Sequence, residues 1–168
     1  MKYSIVFPGQ GSQSIGMLSD LSSNFSIVSE IFQEASDALG VDLWKIAQED
    51  QEALNLTENT QPIMLASGYA TYKVLSNEVK LSPVCMAGHS LGEYTALVAS
   101  QSLNFFDAVK LVRRRAELMQ SAVPKGSGSM AAVLGLDDAK VIEICAQSSS
   151  YGVVEAVNFN SPGQVVIA

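Results

Sequence analysis

Several residue types are scarce in this sequence of 168 residues, and each scarcity excludes a class of protein. The two cysteines, Cys85 and Cys145, stand far apart in apolar segments with no C-x-x-C pair. This arrangement argues against a disulfide framework or a zinc site and predicts two buried, reduced thiols. No apolar run reaches the roughly 18 residues of a membrane span. The chain begins on a strand pattern without a signal-peptide profile, so we expect a cytoplasmic protein without a membrane partner.

Charged residues are also scarce, at 16% of the chain, whereas hydrophobic residues make up 48%. This composition predicts a well-packed globular protein and argues against disorder. The 10 basic residues are outnumbered by 17 acidic ones, which gives a formal net charge of −7. An excess of negative charge argues against a nucleic-acid partner. The length suits one domain with a sizeable core, or one domain with part of a second.

The first part of the chain contains both strand-like and helix-like segments. The segment Pro8–Gln13 lacks the Gly-Lys-Ser/Thr of a phosphate-binding loop, but its glycines allow the backbone and Gln10 to approach a ligand. The patterns first predict a buried strand at 2–7, a helix opening near Ser14, a helix at 26–39 ended by Gly40 and a short helix at 42–47. A surface connection at 48–58 follows, and then a buried helix from Thr60 to Leu75. The last predicted elements of this part are a strand at 84–87, a helix after Gly92, and a helix from Phe105 to about Val123 capped by Asn104.

A second unit is predicted after the linker-like stretch 124–129, with the boundary between residues 124 and 125. The patterns beyond it predict a strand at 130–134, a helix at 137–148 capped by Asp137 or Asp138, a strand at 153–159, a turn at 160–163 and a strand at 164–168. A βαββ unit of this kind normally continues through a further helix and strand that cover the sheet. We therefore expect the chain to be part of a longer one.

The most informative stretch is the G-x-S-x-G pentapeptide Gly88–Gly92, which lies between a strand pattern and a helix pattern. This is the context of a nucleophile elbow, in which glycines let the strand and the helix approach closely and a strained serine exposes its hydroxyl. Ser90 is therefore the candidate nucleophile. The N–H groups at the start of the following helix point at the position where an oxyanion would form. The alternative is an ordinary structural turn, since glycine, serine and alanine are common.

Serine becomes a strong nucleophile only beside a base, usually a histidine held by a third group. The only histidine is His89, directly before Ser90. Neighbouring side chains in a tight turn project apart, which favours a scaffolding role for His89 over a role as the base. Either the base then lies outside these 168 residues, or the chain is not a competent enzyme by itself.

One cation interrupts an apolar helix face. At about 100° per residue, Arg115 projects into the middle of the face, whereas Arg113 falls outside it and Arg114 points away. A cation in such a position needs a partner, because an unpaired buried charge is costly. A salt bridge to an internal carboxylate and a ligand-binding role both remain open. The apolar face is made by Leu111, Leu118, Ala108, Val112 and Met119.

Four stretches, in this order and spacing, closely resemble the malonyl-CoA:acyl carrier protein transacylase family. They are Phe7–Gln13, Gly88–Tyr94, Arg115 with Met119-Gln120, and Asn158–Gln164. The resemblance implies an α/β hydrolase-like core with a parallel sheet (1–124) and part of an inserted ferredoxin-like α+β subdomain (125–168). It implies malonyl transfer in fatty acid biosynthesis, with malonyl-CoA and acyl carrier protein as partners and no cofactor.

The resemblance also assigns roles to individual residues. It implies that Ser90 carries the malonyl ester, that the backbone N–H groups of Gln10 and Leu91 form the oxyanion hole, and that Arg115 binds the malonyl carboxylate. The other substrate-binding positions that it implies are Met119, Met130, Asn158 and Asn160. The family is roughly twice this length and has its catalytic histidine in its later half, so the resemblance implies an N-terminal part that is inactive alone.

Three other functions compete with this hypothesis. A serine hydrolase or thioesterase would share the pentapeptide but would let water release the acyl group and would have no need of Arg115. The acyltransferase domain of a polyketide synthase would share most of the motifs, although a start directly on the first strand favours a free-standing enzyme. An inactive binding module is the alternative that the missing base suggests.

Overall fold

The structure is a computed structural model that describes residues 2–122 and 126–168. It is an α/β protein, and its backbone contacts divide the chain into two compact units, Met1–Gln120 and Ser121–Ala168. The elements are β1 (Ser4–Phe7), α1 (Ser19–Asn24), α2 (Ser26–Leu39), α3 (Leu43–Glu49), α4 (Gln51–Leu54), α5 (Thr57–Glu78), β2 (Cys85–Gly88), α6 (Leu91–Ala99), α7 (Phe105–Ser121), β3 (Ala131–Leu134), α8 (Asp138–Ser148), β4 (Ala156–Ser161) and β5 (Gln164–Ile167).

In the first unit, β1 and β2 pair in parallel, with Ser4 opposite Cys85 and Phe7 opposite Gly88. Phe7 packs with Ala96 and Ala99 of α6 into a small apolar cluster. The prediction of a fully buried strand is wrong, because Val6 is 70% exposed. Side chains alternate between the two faces of a strand, and no described residue covers the face that carries Val6. Cys85 lies on the opposite strand and is likewise exposed, contrary to the predicted buried thiol.

The main core forms around α5, which packs against α2 and α6, and buried side chains of α7 join the same cluster. Ile63 and Leu65 of α5 are fully buried together with Phe32 of α2 and Val112 of α7. The predicted start at Thr60 is three residues late, since α5 begins at Thr57 and Pro62 therefore lies within the helix. The predicted surface connection at 48–58 is also wrong, because it contains α4 and its Leu54 is fully buried.

Local signals gave the best predictions in this unit. Helix α2 spans Ser26–Leu39, and Gly40 ends it at φ 66°, in the left-handed region that favours glycine. Asp42 caps α3 by accepting a hydrogen bond from the Lys45 N–H at 2.9 Å. The helix predicted near Ser14 is wrong, since the segment before Ser19 forms turns and α1 begins only at Ser19.

The second unit is an antiparallel sheet of order β3-β5-β4 packed against α8. Asp137 caps α8 as predicted, by accepting from the Lys140 N–H at 2.8 Å. Cys145 is buried beside Val141 and Val165, as predicted for that thiol. The strand predicted at 153–159 instead spans Ala156–Ser161.

Part of the predicted boundary between the units lies outside the described residues. This applies to Val123, the predicted end of α7, and to Pro124 and Lys125 of the predicted linker. The remainder of that linker, 126–129, forms no helix or strand.

No helix among the described residues is long and apolar enough to cross a membrane. The same part of the chain contains no group of three histidine, cysteine or acidic side chains arranged to hold a metal ion.

Candidate active site

Ser90 stands in the sharp turn between the end of β2 and the start of α6. Its backbone angles are φ 53° and ψ −109°, a conformation that residues with a side chain rarely adopt. The turn is closed by hydrogen bonds from the Gly92 N–H to the His89 carbonyl at 2.9 Å and from the Glu93 N–H to the Ser90 carbonyl at 3.2 Å. The residue itself is exposed. The turn therefore has the geometry predicted for a nucleophile elbow.

Steric crowding explains both glycines of the pentapeptide. A Cβ on Gly88 would lie 1.9 Å from the carbonyl carbon of Gly92. A Cβ on Gly92 would lie 2.2 Å from the carbonyl oxygen of Phe7, at the end of β1. Both distances are far below van der Waals contact, so the strand and the helix can approach this closely only because both residues lack a side chain.

Arg115 reaches Ser90 directly. Its Nη2 donates a hydrogen bond to Ser90 Oγ at 2.8 Å, and its Nη1 donates to Gln61 Oε1 at 2.8 Å. The guanidinium carbon lies 5.6 Å from the centre of the Tyr94 ring, within the range of a cation–π contact. No carboxylate among the described residues pairs with Arg115. The predicted alternative of an internal salt bridge is therefore not what the described part of the chain shows.

The predicted apolar face of α7 is confirmed at Ala108 and Val112, which are fully buried, and is wrong at its other three members. Leu111, Leu118 and Met119 are about half exposed, at 45%, 51% and 48%. At about 100° per residue, the stripe that is buried lies between Arg113 on one side and Arg115 on the other. Arg115 is thus at the edge of the stripe and half-buried, which leaves its guanidinium free to reach Ser90. The buried stripe consists of Phe105, Ala108, Val109, Val112 and Ala116.

The two residues predicted for the oxyanion hole lie on either side of the turn. Leu91 is the first residue of α6, where backbone N–H groups have no acceptor within the helix. Gln10 belongs to the loop after β1, which touches the turn, because a Cβ on Gly9 would lie 2.8 Å from the His89 carbonyl oxygen. The Gln10 side chain donates instead to Thr57 Oγ1 at 3.3 Å. Only the backbone of Gln10 is therefore available for the predicted role.

The remaining predicted residues are divided between the two units. Met119 is linked to Ser90 through two other side chains. Its sulfur lies 3.4 Å from Gln61 Nε2, and Gln61 accepts from Arg115, which contacts Ser90. Met130 precedes β3, and Asn158 and Asn160 lie on β4. These three belong to the second unit, so the geometry around Ser90 does not test them.

His89 is exposed and makes no hydrogen bond to Ser90 Oγ among the interactions of the described residues. Its ring lies beside the loop after β1, where a Cβ on Gly9 would come within 3.3 Å of His89 Nδ1. The described residues thus offer Ser90 a cation but no histidine base.

The sequence interpretation missed Gln61, which is fully buried and joins Arg115 to Met119. It also missed the pairing of Asn59 with Arg113, whose side chains share a hydrogen bond of 2.9 Å. A weak signal was present on α5, because the polar run Asn59-Thr60-Gln61 precedes a nearly continuous apolar stretch, and polar groups buried in such a position need specific partners.

Arg113 has two acidic partners, Glu117 at 3.2 Å and the Glu58 carboxylate at 3.6 Å. Hydrogen bonds from Arg113, and secondarily from Arg114, lower the pKa of the Glu117 carboxyl below its ordinary value. Glu117 is thus held as an anion, and it accepts a hydrogen bond from Arg113 Nε at 3.2 Å.

Comparisons with known proteins agree with this geometry. The acyl transferase domain family matches residues 4–168. Malonyl CoA-acyl carrier protein transacylase of Haemophilus influenzae is 55% identical over 169 residues, a match that covers 99% of this chain and 54% of that protein. The chain thus spans about half the length of the curated relatives it matches.

Solved structures show the same likeness. The acyl-carrier-protein S-malonyltransferase of Burkholderia pseudomallei has a TM-score of 0.95 and 55% identity, covering 99% of this chain and 54% of that one. A malonyl-transacylase solved in complex with a type II PKS acyl-carrier protein has a TM-score of 0.96 and 48% identity, with the same coverage. A family match over nearly the whole chain, together with a glycine-lined elbow at Ser90, establishes that this chain belongs to the acyl transferase domain family.

Proposed function

We propose that the protein to which this chain contributes transfers a malonyl group from malonyl-CoA to the phosphopantetheine thiol of acyl carrier protein, in fatty acid biosynthesis in the cytoplasm. The observation that carries the proposal is the 2.8 Å hydrogen bond between Arg115 Nη2 and Ser90 Oγ in a strained elbow. A fixed cation beside a nucleophilic serine suits an acyl group that ends in a carboxylate. The names of the matched relatives support the same substrate and partner.

The proposed reaction is a double displacement. Ser90 Oγ attacks the thioester carbonyl of malonyl-CoA, the C–S bond breaks, and CoA leaves as a thiol while malonyl remains as a seryl ester. The carrier thiol then attacks the ester carbonyl and releases the serine hydroxyl. In both steps the backbone N–H groups of Gln10 and Leu91 stabilise the oxyanion.

Arg115 binds the free carboxylate of the malonyl group in this proposal. Its planar guanidinium can donate two parallel hydrogen bonds to a carboxylate, and an acetyl group would leave those donors unpaired. Met119 and Met130 line the acyl pocket, and Asn158 and Asn160 border the cleft. The parts of the fold are an α/β hydrolase-like core over 1–124 and part of a ferredoxin-like subdomain over 125–168, and no cofactor takes part.

The base that activates Ser90 is not His89 in this proposal. The support is geometric, since no hydrogen bond joins His89 to Ser90 Oγ among the described residues. We propose that His89 supports the turn and that another part of the protein supplies the base. Acylation by the 168-residue chain alone is then slow, by a factor on the order of 10⁴, as for a triad without its histidine.

The test is to incubate the longer protein proposed above, which includes this chain and the base, with malonyl-CoA and to locate the adduct by peptide mass spectrometry. We expect malonyl on the peptide that contains Ser90, none in the Ser90→Ala variant, and unchanged labelling in the control Ser100→Ala, which removes another exposed serine. Adding acyl carrier protein should move the malonyl group to its thiol. Release of free malonate without transfer would identify a hydrolase, and an adduct elsewhere would contradict the assignment of Ser90.

A further inference from the structure

A proline within α5 leaves one backbone carbonyl without its helical partner. In an α-helix the carbonyl of residue 58 accepts from the N–H of residue 62, but Pro62 has no N–H. Arg113 Nη1 of α7 takes the place of that donor, at 3.2 Å from the Glu58 carbonyl oxygen. The side chain of a neighbouring helix thus completes the hydrogen bonding of α5.

The same guanidinium holds the next residue as well. Arg113 Nη1 donates to Asn59 Oδ1 at 2.9 Å, and the Asn59 amide donates to the Ala53 carbonyl of α4 at 3.0 Å. Asn59 is only 8% exposed, so these bonds are largely shielded from water. Arg113 Nε is occupied by Glu117, 3.2 Å away, which fixes the arginine on its own helix. The start of α5 is therefore anchored to α7 through one arginine.

A second arginine, Arg115, forms a hydrogen bond to α5 further along the helix. Gln61 is fully buried and accepts from Arg115 Nη1, whose other nitrogen reaches Ser90. Arg113 and Arg115 leave α7 about 160° apart, on the two sides of its buried stripe.

We propose that Arg113 is a positioning residue. It binds Asn59 and the Glu58 carbonyl, which has no helical donor because of Pro62, and so fixes the first turn of α5. This in turn fixes Gln61 at the position from which it orients the Arg115 guanidinium toward Ser90. The proposal rests on the function proposed above in one respect, because it takes the malonyl carboxylate as the group that Arg115 binds. The arrangement itself concerns only residues of the first unit.

The first test compares Arg113→Gln with Arg114→Gln. Arg114 is the matched control, because it is a neighbouring cation that is 66% exposed and contacts only Glu117 among the described side chains. The readout is the ratio of malonyl-CoA to acetyl-CoA affinity, measured by calorimetry on the whole chain. We expect Arg113→Gln to lower the ratio about tenfold, the scale of a lost charge-assisted hydrogen bond, and Arg114→Gln to leave it unchanged.

The second test uses the proline. Pro62→Ala restores an N–H for the Glu58 carbonyl, so Arg113→Gln should cost much less in that background, about threefold or less in the affinity ratio. A role limited to the ion pairs with Glu117 and with the Glu58 carboxylate would not depend on residue 62. An equal effect of Arg113→Gln in both backgrounds would overturn the proposal.

The third readout requires no ligand and separates this proposal from the proposed function. The ¹⁵N side-chain NMR signals of Arg115 should shift in Arg113→Gln and stay in place in Arg114→Gln. If the unmutated chain shows no preference for malonyl-CoA, the proposed function fails while the NMR comparison still decides the positioning role. An unchanged Arg115 signal would refute it. Arg113→Lys, which keeps the charge but loses the planar fork, serves if Arg113→Gln does not fold, and we expect a smaller shift of the same signals.

Discussion

Arg115 divides its two terminal nitrogens between two kinds of partner. Nη1 is held by Gln61, a fully buried amide, while Nη2 points at Ser90, which is exposed. One half of the guanidinium is thus anchored in the core, and the other half contacts the exposed Ser90 hydroxyl. A lysine could not do both, because its single ammonium group has no fixed fork.

This division predicts different results for two substitutions. Arg115→Ala should lower malonyl transfer to Ser90 by about 2 kcal/mol or more in transition-state free energy, because it removes the partner of the carboxylate. It should leave or raise acetyl transfer, since the penalty for an unpaired guanidinium disappears. For Arg115→Lys we expect a rate of malonyl transfer between that of the unmutated protein and that of Arg115→Ala. The measurement is the single-turnover rate of Ser90 acylation with each acyl-CoA, and an equal loss for both substrates would show that Arg115 has a structural role only.

At the level of elements, the elbow is held by backbone crowding rather than by side chains. The end of β1, the turn and the first residues of α6 meet where Gly88 and Gly92 leave no room for a Cβ. A side chain at either position would force backbone atoms apart, and a close-packed interior has no free space for such a movement.

Substituting these glycines should therefore be far more damaging than substituting a glycine that is needed only for its backbone angles. Gly92→Ala should destabilise the chain by at least about 4 kcal/mol. Gly40→Ala is the control, because Gly40 has φ 66° but no atom lies within 4 Å of the place that a Cβ would occupy, and the strain alone should cost about 1–2 kcal/mol. Urea denaturation of both variants measures the difference. Equal losses would show that the crowding at Gly92 is relieved by local movement.

The elements that could be predicted from sequence are those determined by neighbours in the chain. Helix α2 with Gly40 behind it, the cap of α8 at Asp137 and the turn at Ser90 all follow from residues within a few positions of one another. The predictions failed at 48–58 and on part of α7, because Leu54 and the buried stripe of α7 join a core cluster whose other members are distant in sequence.

The candidate site shows the same limit. Ser90 and Arg115 carry signals of their own, a pentapeptide and a cation in an apolar pattern, and the structure places them 2.8 Å apart. The signals at Gln61 and Arg113 are much weaker, because their importance comes from pairings across 54 and 55 positions of sequence. Contacts of that kind cannot be found from local periodicity.

For the molecule as a whole, the strained backbone conformation of Ser90 lowers the free energy of unfolding. A residue with a side chain at φ 53° and ψ −109° carries strain of about 1–3 kcal/mol, whereas glycine adopts these angles freely. Ser90→Gly should therefore raise the free energy of unfolding by about 1 kcal/mol relative to Ser90→Ala. The alanine variant is the proper reference, because both changes remove the hydrogen bond to Arg115. Denaturant unfolding of the pair gives the comparison, and an alanine variant as stable as the glycine variant would show that the turn is unstrained.

The strain at position 90 has a consequence for selection. A library of variants ranked by melting temperature alone would favour glycine over the native serine at this position, and so would enrich proteins that have lost the proposed nucleophile. Natural selection for thermal tolerance exerts the same pull, so only continued demand for the chemistry keeps serine in place. A glycine at this position in a heat-stable descendant would mark the point at which the lineage stopped being used as a catalyst.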